Sequence, residues 1–188
     1  MLRRTFIRAL VVVAAVPLIG GVQSAVASPA IAAEIQAVTI TYDDSRAAEF
    51  KTAIASAVNV WNTSVSNVLL TPAQPGRRAE IVIIADNDWP RATLGPVRPG
   101  GRATVWMGRQ ATAQGHDAIR IAAHELGHNL GLPDRKPGPC SSLMSGSTGG
   151  VSCKNAVPNE QERADVDQNY RTGATRHVDD SRVVVDVG

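Results

Sequence analysis

The stretch His124-Glu-Leu-Gly-His128-Asn-Leu-Gly131-Leu-Pro-Asp134 constrains the fold of this chain more than any other part of it. Residues four positions apart lie on one face of an α-helix, so the imidazoles of His124 and His128 can approach the same metal ion. Glu125 follows the first histidine and can reach a water molecule on that ion. Two ligands and a general base on one helix are typical of zinc hydrolases. The pattern therefore predicts a helix here with a zinc site on its surface.

The residues after the second histidine can complete that site. Catalytic zinc has three protein ligands and one open position, so a histidine pair is not sufficient. Gly131 can adopt the left-handed conformation that ends a helix, and the chain can then bring Asp134 to the metal as a third ligand. An HExxH sequence also occurs by chance in helices, but Gly131 and Asp134 at the extended spacing favour the metal site. A structural zinc would more commonly recruit cysteine.

The pattern HExxHxxGxxD, followed by Ser-Leu-Met144-Ser-Gly, resembles the snapalysins, small neutral metalloproteases secreted by Streptomyces and its relatives. The resemblance also covers residues 57–68 and 138–153, and thus most of residues 38–172. It implies a zincin fold of the metzincin type, with Asp134 in place of the third histidine of most metzincins. It further implies that Met144 forms a Met-turn beneath the zinc site without binding the metal. Without the resemblance, Met144 is an apolar loop residue of the core.

The expected fold class is α+β: a small zincin-like domain with a twisted, mostly parallel sheet and an antiparallel edge strand. A backing helix and the active-site helix pack on the sheet, and a C-terminal helix follows. Apolar periodicity predicts strands at 38–42, 67–71, 80–84 and 102–108, a helix at 46–62, and a last helix that begins after Asn159 and ends near Gly173. Residues 86–101, rich in Pro, Gly and charge, are predicted to be a loop. In this architecture, strand 102–108 is expected to be the edge to which an extended substrate adds.

Residues 1–27 have the features of a signal peptide. Arg3-Arg4 precede an apolar segment, residues 9–22, that is too short for a comfortable membrane span, and Ala25-Val-Ala27 is a small-residue cleavage site. The arginine pair is compatible with a twin-arginine signal or with an ordinary secretory signal, and an uncleaved anchor is the minor alternative. The prediction is a secreted, extracellular protein without stable membrane association.

Three further segments follow from this division of the chain. Residues 28–37 are expected to be a short pro-segment or an N-terminal extension, and residues 38–173 the metalloprotease domain. Residues 174–188 form a tail that is polar and then continues as Val183-Val-Val-Asp-Val. This tail has no evident place in the family fold, and it is either disordered or a strand that docks on a free sheet edge.

Composition excludes some partners and predicts a cross-link. The chain has 188 residues, a net charge of +2 and only 4% aromatic residues, without a basic stripe, so a nucleic-acid interface is not expected.

Cys140 and Cys153 are its two cysteines, and in an exported chain they are predicted to form one disulfide. In the chain-entropy model a loop of this size contributes about 3 kcal/mol. Two thiols joining a metal site are the less favoured alternative. A monomer is the simplest expectation.

Two residues carry alternatives that the sequence leaves open. The resemblance implies that Asp117 helps to bind a structural calcium ion, but the threonine partner two positions later is replaced by Ile119, and Asp117 is equally suited to cap the helix. Lys136 stands where snapalysins often carry a tyrosine that stabilises the transition state. Lys136 could offer a positive charge to the oxyanion, although a solvated surface lysine is favoured.

The predicted function is that of a secreted zinc-dependent endopeptidase that hydrolyses peptide bonds in proteins, with Glu125 activating the zinc-bound water. Zinc, and less firmly calcium, are the predicted cofactors. The resemblance also implies a preference for an aromatic residue just after the cleaved bond. The alternative is an exported, non-catalytic domain whose zinc site is structural or degenerate.

Overall fold

The computed structural model of the chain describes residues 36–171 and 182–186. All of these residues belong to one unit, Glu34–Gly188. The predicted signal peptide, most of the predicted segment 28–37 and most of the predicted tail lie outside the described residues. The predicted boundaries between these segments therefore stay predictions.

A mixed sheet forms the centre of the fold. Its strands are β1 (Val38–Arg46), β2 (Val68–Pro72), β3 (Ile81–Asp86), β4 (Arg91–Thr93), β5 (Ala103–Gly108) and β6 (Val183–Val185), in the spatial order β2-β1-β3-β5-β4-β6. The first three strands and β5 are parallel, whereas β4 is antiparallel to β5 and β6 is antiparallel to β4. The predicted fold class, a mostly parallel sheet with an antiparallel edge in an α+β domain, is confirmed.

The described residues contain four α-helices: α1 (Lys51–Ser64), α2 (Arg109–Ala113), α3 (Ala118–Asn129) and α4 (Glu160–Asn169). Short 3-10 segments occur at Ala48–Phe50 and Leu143–Gly149. The predicted helix at 46–62 therefore starts later, because β1 continues to Arg46. Helix α4 ends at Asn169, earlier than the sequence indicated.

Trp61 joins the backing helix to the active-site helix. It lies on α1, is 1% exposed, and donates a hydrogen bond from its indole nitrogen to the Ala123 carbonyl oxygen of α3 at 2.8 Å. Alternate residues of the central strands, such as Ile81, Ile83 and Val105, are buried in the same core. Trp61 is thus a core residue that links the two helices.

The edge of the sheet differs from the expectation in two respects. The predicted loop 86–101 contains β4, whose Arg91 and Ala92 pair with Trp106 and Val105 of β5. The prediction that strand 102–108 forms the edge is therefore wrong, because β5 lies between β3 and β4. A strand of three residues is too short to show an alternating pattern in the sequence.

Candidate active site

Both ends of α3 are fixed by local interactions. The Asp117 side chain caps the first turn by accepting hydrogen bonds from the backbone nitrogens of Ile119 at 3.0 Å and Arg120 at 2.9 Å. At the other end Gly131 has a φ of +96°. The backbone nitrogen of Leu132 donates to the Gly127 carbonyl at 3.0 Å, which completes the usual helix-ending motif. The chain therefore reverses where the sequence predicted.

This reversal brings together three metal-ligand atoms. His124 Nε2 and His128 Nε2 are 3.1 Å apart, and Asp134 Oδ1 lies 3.3 Å from the first and 3.6 Å from the second. The Nδ1 atoms of the two rings face the carbonyl oxygens of Leu143, at 3.0 Å, and Leu132, at 2.7 Å. Because a carbonyl only accepts, each Nδ1 carries the proton and each Nε2 presents its lone pair.

These donors fit a zinc ion. Two imidazole lone pairs and a carboxylate oxygen at such distances repel one another unless a cation lies among them. Asp134 Oδ1 is buried and accepts no hydrogen bond from the described residues. Burial lowers the pKa of His128 to about 3, which favours the neutral ring that metal ligation requires. Two imidazoles and one carboxylate are a common ligand set of catalytic zinc.

Glu125 is fully buried beside this cluster. Neither of its carboxylate oxygens accepts a hydrogen bond from the part of the chain that the structure describes. Burial raises the pKa of Glu125 to about 8, and the nearby carboxylate of Asp186 adds to this rise. A carboxyl group with free oxygens and a raised pKa is suited to take up and release a proton near neutral pH.

Met144 lies directly beneath the helix that carries the histidines. It is fully buried, and a Cβ atom added to Gly127 would lie 2.9 Å from its sulfur and 3.2 Å from Cζ2 of Trp61. Gly127 is the one residue between the two histidines that has no side chain, and the Met144 thioether fills the space beneath it. Met144 thus lies beneath the active-site helix, and its role as a Met-turn stays a prediction.

Two buried charged residues hold this turn, and the sequence analysis did not identify their role. Arg120 of α3 donates from Nη2 to the Ser142 carbonyl at 3.0 Å and to Ser145 Oγ at 2.9 Å. Glu162 of α4 accepts hydrogen bonds from the backbone nitrogens of Leu143 at 3.1 Å and Met144 at 2.9 Å. Glu162 also forms a capping box with Asn159 at the start of α4, so one carboxylate holds both the helix end and the turn.

Lys136 and Asp186 meet at the mouth of the site. The Lys136 side chain is 19% exposed; its ammonium lies 3.5 Å from Asp134 Oδ1 and makes a short hydrogen bond to Asp186. The favoured interpretation of Lys136 as a solvated surface residue does not match this position. Donor atoms of His124, Glu125 and Asp186 lie within 4.8 Å of one another. Asp186 therefore belongs to the site, which the sequence analysis did not predict.

A pocket opens beside His124. Its lining includes Trp89, His116, Ile121, Ser147 and Asp186. The rings of Trp89 and His116 contact each other edge to face, with centroids 6.0 Å apart. His116 thus lies at the pocket wall, and in the described residues it belongs to neither cluster of metal-binding side chains.

Comparison with known proteins places this geometry in a family. The model of the Streptomyces extracellular neutral proteinase (M7) family matches residues 37–173. The chain belongs to this family. The predicted resemblance to the snapalysins is thereby confirmed.

Two relatives are named extracellular small neutral protease. The chain is 43% identical over 137 residues to the one from Streptomyces coelicolor, covering 73% of this chain and 61% of that protein. It is 43% identical over 136 residues to the one from Streptomyces caespitosus, covering 72% of this chain and 99% of that protein. The chain thus spans about three-fifths of the first relative's length and nearly all of the second's. One solved structure that aligns with the chain is high choriolytic enzyme 1, a hatching-enzyme zinc protease from the medaka fish Oryzias latipes. The alignment has a TM-score of 0.39 and 21% identity, and it covers 52% of this chain and 46% of that one.

The remaining predictions for M7-family features have mixed outcomes. The predicted disulfide between Cys140 and Cys153 is present. Asp117 caps α3 and lies 3.7 Å from the Lys154 ammonium, and within residues 36–171 and 182–186 it belongs to no cluster of three metal-binding side chains. The calcium prediction therefore gains no support. In those same ranges no helix has the length and apolarity needed to cross a bilayer.

Proposed function

We propose that this chain is a secreted zinc-dependent endopeptidase that cleaves peptide bonds in proteins. His124, His128 and Asp134 hold the zinc, and Glu125 is the general base. The observation that carries the proposal is the convergence of the three ligand atoms, within 3.1–3.6 Å of one another, beside a buried carboxylate. The names of the M7-family relatives, extracellular proteases, support the same class of enzyme and its export.

The chain's own residues divide the chemistry among them. When bound, zinc supplies Lewis acidity that polarises a carbonyl group and lowers the pKa of water toward neutrality. Glu125 removes the proton of the attacking water and returns it to the leaving amine. The carbonyl groups of Leu143 and Leu132 hold the two imidazoles in the tautomer that presents Nε2.

Strand β4 and the pocket beside His124 are suited to bind substrate. Antiparallel pairing along the outer edge of β4 would hold an extended peptide by its backbone. Trp89 and His116, which line the pocket beside His124, would contact a side chain next to the cleaved bond, and their aromatic rings suit the aromatic preference that the family resemblance implies. The substrate class is thus an extended segment of a protein, and a monomer suffices for every part of this site.

The substitution Glu125→Gln tests the assignment of the base. It keeps the size of the side chain but cannot accept the proton, so we expect the variant to bind zinc normally and to hydrolyse casein about 10²- to 10⁴-fold more slowly. Glu160→Gln, the same change at an exposed position of α4, is the matched control and should retain full activity. Hydrolysis by Glu125→Gln at the original rate would refute the role of Glu125.

A further inference from the structure

Strand β6 lies where an extended substrate would pair. It is antiparallel to β4, with Val184 opposite Ala92. Hydrogen bonds bracket the pairing on both sides: the Leu94 nitrogen donates to the Arg182 carbonyl at 2.7 Å, and the Asp186 nitrogen donates to the Pro90 carbonyl at 2.9 Å. This strand is outside the family domain, residues 37–173.

A strand that docks for stability buries its apolar side chains, but this segment exposes two of them and buries its charged residue. Val183 and Val185 are each 42% exposed, whereas Asp186 is 5% exposed. Burying an ionised carboxylate costs several kcal/mol unless partners compensate for the lost hydration. The docking of this segment therefore depends on the interactions of the Asp186 carboxylate, and the two exposed valine side chains contribute little to it.

The surroundings of Asp186 are built to receive that carboxylate. Its Oδ1 accepts hydrogen bonds from Lys136 Nζ and, at 3.2 Å each, from the backbone nitrogen and Oγ of Ser147. A Cβ atom on Gly146 would lie 2.5 Å from this oxygen, so only glycine leaves room for it. On the other side, an oxygen of its carboxylate lies within 4.8 Å of ligand atoms of His124 and Glu125.

We propose that residues 182–186 occupy the substrate cleft and that the Asp186 carboxylate fills the space beside His124 and Glu125 that the attacking water and the scissile bond require, so that the chain holds itself latent until this segment is displaced. This inference rests on the proposed function. Catalytic zinc keeps a position open for substrate and water, and a segment docked on β4 with its carboxylate beside the general base blocks access to that position. A tethered segment has an effective concentration on the order of millimolar, so intrinsic binding of about 100 μM would give about tenfold latency.

The experiment uses the full chain and the substitution Asp186→Asn, with Val185→Thr as the matched control on the exposed face of the same strand. Hydrogen exchange of the Leu94 amide, which donates to the Arg182 carbonyl of the docked segment, is measured in all three chains. If Asp186 anchors the segment, this amide should exchange slowly in the wild type and in Val185→Thr, and faster in Asp186→Asn. Casein hydrolysis by Asp186→Asn should be about tenfold faster than that of the wild type.

A synthetic peptide of residues 180–188 provides the second arm. Added to the Asp186→Asn chain, the peptide should inhibit casein hydrolysis, and the same peptide with asparagine at position 186 should not. This arm separates occupation of the cleft from any effect of the substitution on folding.

The outcomes distinguish the two proposals. Equal exchange of the Leu94 amide in all three chains, or wild-type hydrolysis as fast as that of Asp186→Asn, would overturn latency. If no chain hydrolyses casein but protection of the Leu94 amide is still lost in Asp186→Asn, Asp186 anchors the segment on a domain that is not a peptidase. In that case the proposed peptidase fails, and latency with it.

Discussion

Glu162 of α4 accepts a hydrogen bond from the backbone nitrogen of Met144 at 2.9 Å and one from that of Leu143 at 3.1 Å. The carbonyl oxygen of Leu143 in turn lies 3.0 Å from Nδ1 of His124. Glu162 lies on α4, which carries none of His124, His128 and Asp134. Its carboxylate nevertheless positions the turn whose carbonyl orients His124. Glu162 acts on the site only through this backbone, as a positioning residue.

Replacement of Glu162 should destabilise the domain. Its carboxylate also accepts hydrogen bonds from Ser142 Oγ at 2.6 Å and from the Asn159 nitrogen at 2.7 Å. Glu162→Gln puts an amide nitrogen against buried donors, and we expect a loss of about 2–3 kcal/mol in the free energy of unfolding by urea. The exposed Glu160→Gln should change this free energy by less than about 0.5 kcal/mol. Equal stability of the two variants would contradict the role of Glu162.

The contribution of Glu162 should depend on pH in one direction. Burial raises its pKa, but hydrogen bonds from Ser142, Met144, Asn159 and Leu143 outweigh burial and lower the pKa below its ordinary value of 4.5. A carboxylate with a lowered pKa in the folded state stabilises that state fully above its unfolded pKa and loses this effect as the pH falls through the folded value. The stability difference between wild type and Glu162→Gln should therefore be constant from about pH 7 to about pH 5 and shrink below that.

Unfolding curves over this pH range check the prediction. Protonation of the zinc ligands affects both chains alike, so it cancels in the difference. A difference that grows on acidification would show that the carboxylate form is not the stabilising one.

Gly131 should tolerate alanine less well than Gly115, although their φ angles are +96° and +95°. Alanine at either position should lower the free energy of unfolding by about 1 kcal/mol, because a side chain disfavours the left-handed conformation. At Gly131 the new Cβ would also lie 2.6 Å from Nδ2 of Asn169 and 2.9 Å from Cδ of Pro96, whereas nothing lies within 4 Å at Gly115. Overpacking adds about 1–3 kcal/mol.

The measurements are thermal unfolding and zinc affinity by chelator competition. Gly131→Ala should lower both, because this turn carries Asp134 to the histidines, and Gly115→Ala should lower stability only slightly. Identical behaviour of the two variants would mean that the backbone conformation alone, and not the close packing, fixes the turn.

The active-site helix could be predicted because its signals are local. Asp117 and Gly131 mark its two ends within a few residues of the histidines, and the spacing of the histidines and Asp134 is itself the ligand pattern. The sequence therefore predicted the convergence of His124, His128 and Asp134 together with the turn that brings Asp134 to the histidines.

The parts that were missed depend on distant contacts. Arg120, Glu162 and Asp186 are charged residues that are buried only because partners far away in the sequence receive them. Charged residues are mostly exposed, so a single sequence gives no sign of such burial. Strand β4 was missed because its three residues form a strand only by pairing with β5 and β6.

The most direct test of the central claim is zinc content measured together with casein hydrolysis on the full chain, before and after treatment with a chelator. We predict about one zinc per chain, loss of hydrolysis when the zinc is removed, and recovery when zinc is returned. Hydrolysis that continues unchanged without zinc, or a chain that binds no zinc at this site, would contradict the account.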